Sequence, residues 1–208
     1  ALRGTIGIDS EAGTTEILVI ADDSADARFI AYDLVSQAEH DEAAASVLVT
    51  DSEALAAAVE RELATVAAQT AHAQRVATAL AGQQSAIVLV DDLDAAIVFA
   101  NFYATEHLEI HTANNQGVLS CITNAGAVFV GKYSPVSLGD YMAGSNHVLP
   151  TGQQAKFGAG LGVHSFLRAQ QVIDYDADAL GAIASQVRDF AESENLPAHG
   201  QPITARFE

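Results

Sequence analysis

Glu16-Ile-Leu-Val-Ile-Ala-Asp22 is an uninterrupted apolar run closed by an acid at each end. A run of this length without alternation is the pattern of a strand buried on both faces, as in a parallel sheet covered by helices. A helix follows it: Ser24 can cap a segment from about Ala25 to Glu39, with Phe29, Ile30, Leu34 and Val35 on one face. The alternation then repeats. Ser46 to Thr50 reads as a second strand, and Asp51 and Ser52 open an Ala-rich helical region reaching about Ala81, broken near Gln69 to His72. Ala86 to Asp91 is a third strand, Leu93 to Tyr103 a helix and Leu108 to Thr112 a strand. Gly117 to Thr123 is a short helix and Ala127 to Gly131 the last central strand. Strands alternating with helices in this way specify an α/β fold with a mostly parallel sheet. Ligands in such sheets sit beyond the carboxyl ends of the strands, which directs attention to the loops and helix starts after each apolar run.

Beyond Gly131 the pattern changes. Ser134 to Gly162 is rich in Gly and Pro and has little periodicity, the mark of a long functional loop. A helical pattern returns from Asp174 to Glu194, with Leu180, Ile183, Val187, Phe190 and Ala191, before an irregular tail. The chain therefore divides into a main α/β domain, 1–161, and a small C-terminal helical unit, 162–208.

Half of the 208 residues are hydrophobic and 17% are charged, a globular composition able to bury one core plus an appendage. Acids outnumber lysines and arginines 27 to 9, for a net charge of -18, so the surface repels nucleic acid and anionic membranes. No stretch approaches the roughly 20 apolar residues of a membrane helix, and no secretion signal opens the chain. The single cysteine, Cys121, lies in an apolar stretch and reads as a buried thiol in a reducing, cytoplasmic setting. The opening Ala1-Leu2-Arg3-Gly4 carries no Met, as expected of a segment of a longer chain.

No glycine-rich dinucleotide fingerprint, P-loop or serine nucleophile elbow is present, and Gly158-Ala-Gly-Leu-Gly162 lacks the preceding strand and the spacing of a phosphate loop. The histidines are more informative. Gln37 and His40 project from one face of a helix end, and Glu106 and His107 stand just before a strand. Asp140 and His147 bracket the Gly-rich loop, and His199 lies in the tail. Each alone also fits a structural or surface position. Together they offer the nitrogen and oxygen donors of a catalytic zinc site with an open position. His72 reads as exposed, His111 alternates with Glu109 along a strand, and His164 lacks a partner.

Ser36-Gln-Ala-Glu-His40, Glu106-His-Leu-Glu-Ile110, Ser137-Leu-Gly-Asp-Tyr141, Gly144-Ser-Asn-His-Val-Leu-Pro150 and Leu196-Pro-Ala-His199 occur in this order. In order and spacing they resemble the second half of the histidinol dehydrogenase family, over about Gly4 to Phe207. The resemblance implies an incomplete Rossmann-like sheet with flanking helices, exposed apolar faces and a small C-terminal unit that reaches a partner subunit. It implies oxidation of L-histidinol to L-histidine through the aldehyde in two NAD-linked steps, with one zinc ion per subunit. Gln37, His40, Asp140 and His199 match the family's zinc ligands, His199 being donated across a homodimer. His107 matches the base for the alcohol proton and Glu106 the residue that activates water. Thr15, His147 and Glu194 match further substrate contacts, beside Gln37, His40, His107, Asp140 and His199. NAD contacts belong to the family's first half, so the 208 residues alone are expected to be inactive.

Three stretches depart from the family pattern. Gly13-Thr-Thr-Glu16 lacks a proline, Val136 replaces a glutamate four residues before Asp140, and Thr151 to Phe157 lacks an arginine. Two other functions remain open. One is a related zinc-dependent dehydrogenase of another small amino alcohol or polyol. The other is a non-redox module that binds zinc or imidazole.

Overall fold

Glu16–Ala21 forms β1, and all six residues are buried. Apolar side chains on both faces of a strand are stable only when both faces are covered, and β1 lies at the centre of a five-stranded parallel sheet. The computed structural model describes residues 5–8 and 11–208. The opening without Met, and Gly4 where the resemblance begins, fall outside the described residues. The other strands are β2 (Ala45–Thr50), β3 (Ala86–Leu89), β4 (His107–His111) and β5 (Ala127–Val130). Their spatial order is β3-β2-β1-β4-β5, so the winding reverses between β1 and β4.

The helices between the strands are α1 (Ala27–Ala38), α2 (Glu53–Gln69), α3 (Ala73–Ala81), α4 (Leu93–Tyr103) and α5 (Asn115–Leu119). A short helix α6 (Val136–Tyr141) follows β5, inside the stretch read as a loop. On one face of the sheet, Ile17, Val19 and Leu48 pack against Ile30 and Leu34 of α1, Leu55 and Val59 of α2, and Val136 of α6. On the other face, Leu18, Ile20, Val49, Leu108 and Ile110 meet Ala96 and Ala100 of α4 and Val118 of α5. Both faces of the central strands are thus covered within the chain. The outer strands keep part of the exposure expected: Leu89 of β3 is exposed, β5 is half-buried, and the apolar Val98 and Phe102 of α4 are exposed.

Three other expectations are corrected. Asp26, not Ser24, caps α1: its Oδ1 accepts from the Arg28 N–H at 2.9 Å. Ser24 is engaged elsewhere, its hydroxyl donating to Asp22 Oδ1 at 2.5 Å to close the turn after β1. Cys121 is exposed, because it lies in the turn after α5 and not on that helix's inner face. The irregular tail contains a helix, α8 (Pro197–Thr204), which follows α7 (Ala177–Ser193). Pro197 starts it where no N–H is needed, while Gly200 and Pro202 hide it from a reading of periodicity. The chain divides into two compact units, 1–166 and 167–208, with α7 and α8 in the second. No helix among the described residues is long and apolar enough to cross a membrane.

The cap assignment is testable by urea unfolding. Asp26→Ala should cost about 1 kcal/mol, the usual loss for an N-cap. Equal stability of Asp26→Ala and the wild type would contradict it.

Candidate active site

Parallel strands put their first residues together at one edge. Thr15 and Glu16 open β1, Glu106 and His107 open β4, and Gln37 lies in the last turn of α1 as the chain returns to that edge. The cluster therefore stands at the amino ends of the strands, not the carboxyl ends that the sequence rule favoured. The carboxyl edge has a cleft of about 890 Å³ between Ser24 to Ala27 and Gly131 to Tyr133, but none of the predicted site residues lines it. Helix ends decide the difference. The carboxyl-edge rule relies on helix starts facing a ligand, whereas here the end of α1 supplies the side chain.

A directional chain of hydrogen bonds organises the cluster. Glu106 Oε2 accepts from the Glu16 N–H at 3.0 Å and from the Thr15 hydroxyl at 2.5 Å. That hydroxyl accepts in turn from Gln37 Nε2 at 2.5 Å. A carboxylate only accepts, so Thr15 must donate to it and Gln37 must present its NH₂ to Thr15. The Gln37 carbonyl oxygen is thereby left to face away from the chain of bonds, as a neutral oxygen donor.

His107 is buried, and its Nδ1 lies 3.2 Å from the carbonyl oxygen of Glu16 and 3.5 Å from Glu106 Oε2. A carbonyl oxygen cannot donate, so Nδ1 carries the proton, and in the neutral imidazole Nε2 carries a lone pair. Among the described residues, Nε2 is the one buried side-chain nitrogen or oxygen without a hydrogen-bond partner. Such an atom is costly in a fold unless a ligand or a reaction uses it. The Phe129 ring, 6.0 Å away and tilted by 51°, fixes the imidazole from the β5 side.

Several supporting residues were not legible as site residues. Glu16 Oε1 accepts from the Gly152 N–H at 2.6 Å. Burial, and then the neighbouring Glu106 charge, push the Glu16 carboxyl above its ordinary range against that hydrogen bond. The Gly13 N–H donates to the Thr151 hydroxyl at 2.8 Å, joining two motifs that depart from the family pattern. At Gly126 a Cβ would lie 2.6 Å from the Glu106 carbonyl oxygen, so only glycine lets β5 begin against this turn. Left-handed backbone at Ala104 and Asn195 ends α4 and α7, two residues before Glu106 and one after Glu194. The one available signal was a glutamate at the first position of an otherwise apolar buried strand.

The remaining predicted residues are placed as follows. His40 is exposed just beyond α1, and its Nδ1 lies 3.2 Å from the Ser36 carbonyl oxygen, which leaves Nε2 open to solvent. Asp140 is half-buried on α6, after Gly139, where a Cβ would strike the Phe129 ring at 2.6 Å. His147 is exposed in the loop after α6. Glu194 ends α7 and His199 lies on α8, both exposed in the second unit. The structure thus gathers Thr15, Gln37, Glu106 and His107 directly, with His40 and Asp140 on the ends of elements packed around them. A trio given no role by the sequence also meets: ligand-capable atoms of Asp33, Glu109 and His111 lie within 4.8 Å of one another.

A family model of histidinol dehydrogenase matches residues 1–207. The chain belongs to the histidinol dehydrogenase family. The histidinol dehydrogenase of Leifsonia xyli subsp. xyli is 64% identical over 207 residues, covering 100% of this chain and 48% of that protein. That of Corynebacterium efficiens is 59% identical over 207 residues, again 100% of this chain and 46% of its own length. A crystal structure of histidinol dehydrogenase from Elizabethkingia anophelis superposes with a TM-score of 0.86 at 34% identity, covering 94% of this chain and 45% of that one. The chain spans about half the length of the curated histidinol dehydrogenases it matches.

The hydrogen-bond chain has a direct test. Thr15→Val leaves both Gln37 and the Glu106 carboxylate short of a partner and should cost about 1–3 kcal/mol. Thr15→Ser should lose much less. Equal destabilisation by the two variants in urea would mean that the hydroxyl is not what matters.

Proposed function

We propose that this chain supplies the substrate-holding and proton-handling part of an enzyme that oxidises L-histidinol to L-histidine through the aldehyde. The observation that carries the reading is the buried, unpartnered Nε2 of His107, held as a lone pair by the bond from Nδ1 to the Glu16 carbonyl. It is a base nitrogen that no other described group occupies, as one that takes the proton of a substrate hydroxyl must be. The names and identities of the relatives support the choice of substrate.

The donor chemistry at the amino edge suits zinc. Gln37 presents a carbonyl oxygen because its NH₂ is committed to Thr15, and His40 presents Nε2 because Nδ1 faces the Ser36 carbonyl. Asp140 and, in a homodimer, His199 of the partner subunit would complete the set. Zinc held there would orient the amino and imidazole nitrogens of histidinol and act as a Lewis acid. NAD, with contacts expected outside these residues, would serve as the hydride acceptor.

The chain's own residues have separable tasks. His107 Nε2 takes the alcohol proton in the first oxidation, a role suited to imidazole near neutral pH. Glu106, anchored at Oε2 by Thr15 and the Glu16 N–H, activates the water that hydrates the aldehyde before the second oxidation. Thr15, His147 and Glu194 contact the substrate. Val136 removes one possible contact to the substrate, its side chain being buried in the apolar cluster with Ile17 and Ile30.

Metal analysis of the purified chain separates these roles. His40→Ala should abolish stoichiometric zinc, whereas His107→Ala should retain it; unchanged zinc in His40→Ala would remove that residue from the ligand set. With histidinol, NAD and zinc, the 208 residues alone should form little or no NADH. Robust NADH formation would show that the cofactor contacts lie within them.

A further inference from the structure

Glu109 is fully buried at the middle of β4, on the face that also carries His107 and His111. Register makes this a polar stripe: His107, Glu109 and His111 pair with Ile17, Val19 and Ala21, whose side chains point toward α1 and α6. Glu109 has partners on each element it faces. Oε1 accepts from the N–H of Val136, the first residue of α6, at 3.0 Å. Oε2 lies 3.2 Å from His111 Nε2 on β4 itself. The Asp33 carboxyl of α1 completes the set, with an oxygen within 4.8 Å of the facing atoms of Glu109 and His111.

We infer that Glu109 is the positioning residue of this site, tying α1 and α6 to β4 and so setting Gln37, His40 and Asp140 against Glu106 and His107. The inference rests on the zinc-site reading given above. Helical spacing makes it specific. Asp33 is one turn before Gln37 on α1, and Val136 is one turn before Asp140 on α6, so each tie acts one turn from a proposed ligand. Buried groups of this kind orient the ligands of metal sites and typically contribute 10- to 100-fold in affinity.

Two carboxyls this close, with no lysine or arginine paired to either among the described residues, need a shared proton. Burial, and then the charge and hydrogen bond of Glu109, push Asp33 up to about 8. Asp33 therefore keeps a proton that it can donate toward Glu109 below that pH. The sign follows. The folded chain keeps a proton that unfolded Asp33 loses above about 3.8, so the tie is complete at low pH and lost as pH rises through about 8. Asparagine at position 33 would donate at every pH. Glutamine at position 109 would turn an NH₂ toward either the Val136 N–H or the His111 N–H, so it should not substitute.

The test is zinc titration of the full chain in chelator buffers at pH 7 and 9, with amide hydrogen exchange at pH 7. Asp33→Ala and Glu109→Gln should bind zinc roughly 10- to 100-fold more weakly than wild type. Both should also lose amide protection in α6 and in the last turn of α1. Wild type should lose affinity between pH 7 and 9; Asp33→Asn should restore affinity and protection and remove that loss. Wild-type affinity and protection in Asp33→Ala would overturn the proposal. So would a second equivalent of zinc that Asp33→Ala abolishes, because Asp33, Glu109 and His111 would then be a cation site. If wild type binds no zinc, the zinc reading fails, and the exchange of α6 alone decides the role of Glu109.

Discussion

A polar stripe on a buried central strand is the constraint around which this fold is arranged. β4 alternates His107, Glu109 and His111 with Leu108 and Ile110, and all five are buried. The apolar residues face α4 and α5 and stabilise the sheet by leaving water. The polar ones must find partners or protons, because an unsatisfied buried polar group costs about 1–3 kcal/mol. Glu109 finds Asp33, the Val136 N–H and His111. His107 satisfies Nδ1 on a backbone carbonyl and leaves Nε2 without a partner. The stripe is therefore satisfied everywhere except at the atom a reaction would use.

Position then follows from direction. Because the strands are parallel, the His107 end of the stripe meets the start of β1 and the end of α1, which bring Thr15, Glu16 and Gln37. Hydrogen-bond polarity runs one way from Gln37 through Thr15 to Glu106. It fixes which end of the Gln37 amide faces outward without any metal being present. The same bonds hold Glu106 beside His107, so water activation and proton acceptance would occur at adjacent residues from one strand end.

Much of the fold was legible because it depends on runs of apolar residues that only a covered parallel sheet can accept. β1, β2 and β4, and the break between α2 and α3, lie where hydrophobic pattern and turn chemistry put them. What escaped depends on contacts that pattern does not encode. Asp26 caps α1 because Ser24 is already committed to Asp22. α8 contains a glycine and an internal proline, which periodicity reads as a tail. Alternation showed Glu109 and His111 sharing a face, but not that Asp33 would cross from a distant helix to meet them. The edge of the sheet was misjudged because composition says where strands lie and not which end gathers side chains. The site residues themselves came from motif resemblance. The structure supplies what that could not, the bonds that orient Gln37, Glu106 and His107.

The central claim is that the fold holds the His107 imidazole as a base, with the proton on Nδ1 and the lone pair on Nε2. Nitrogen-15 NMR of the histidine side chains in the intact chain reads this directly, at a pH where His107 is neutral. The expected result is a His107 spectrum with a protonated Nδ1 and an unprotonated Nε2. A protonated Nε2 and a bare Nδ1 would mean that the Glu16 carbonyl does not set the tautomer, contradicting the account.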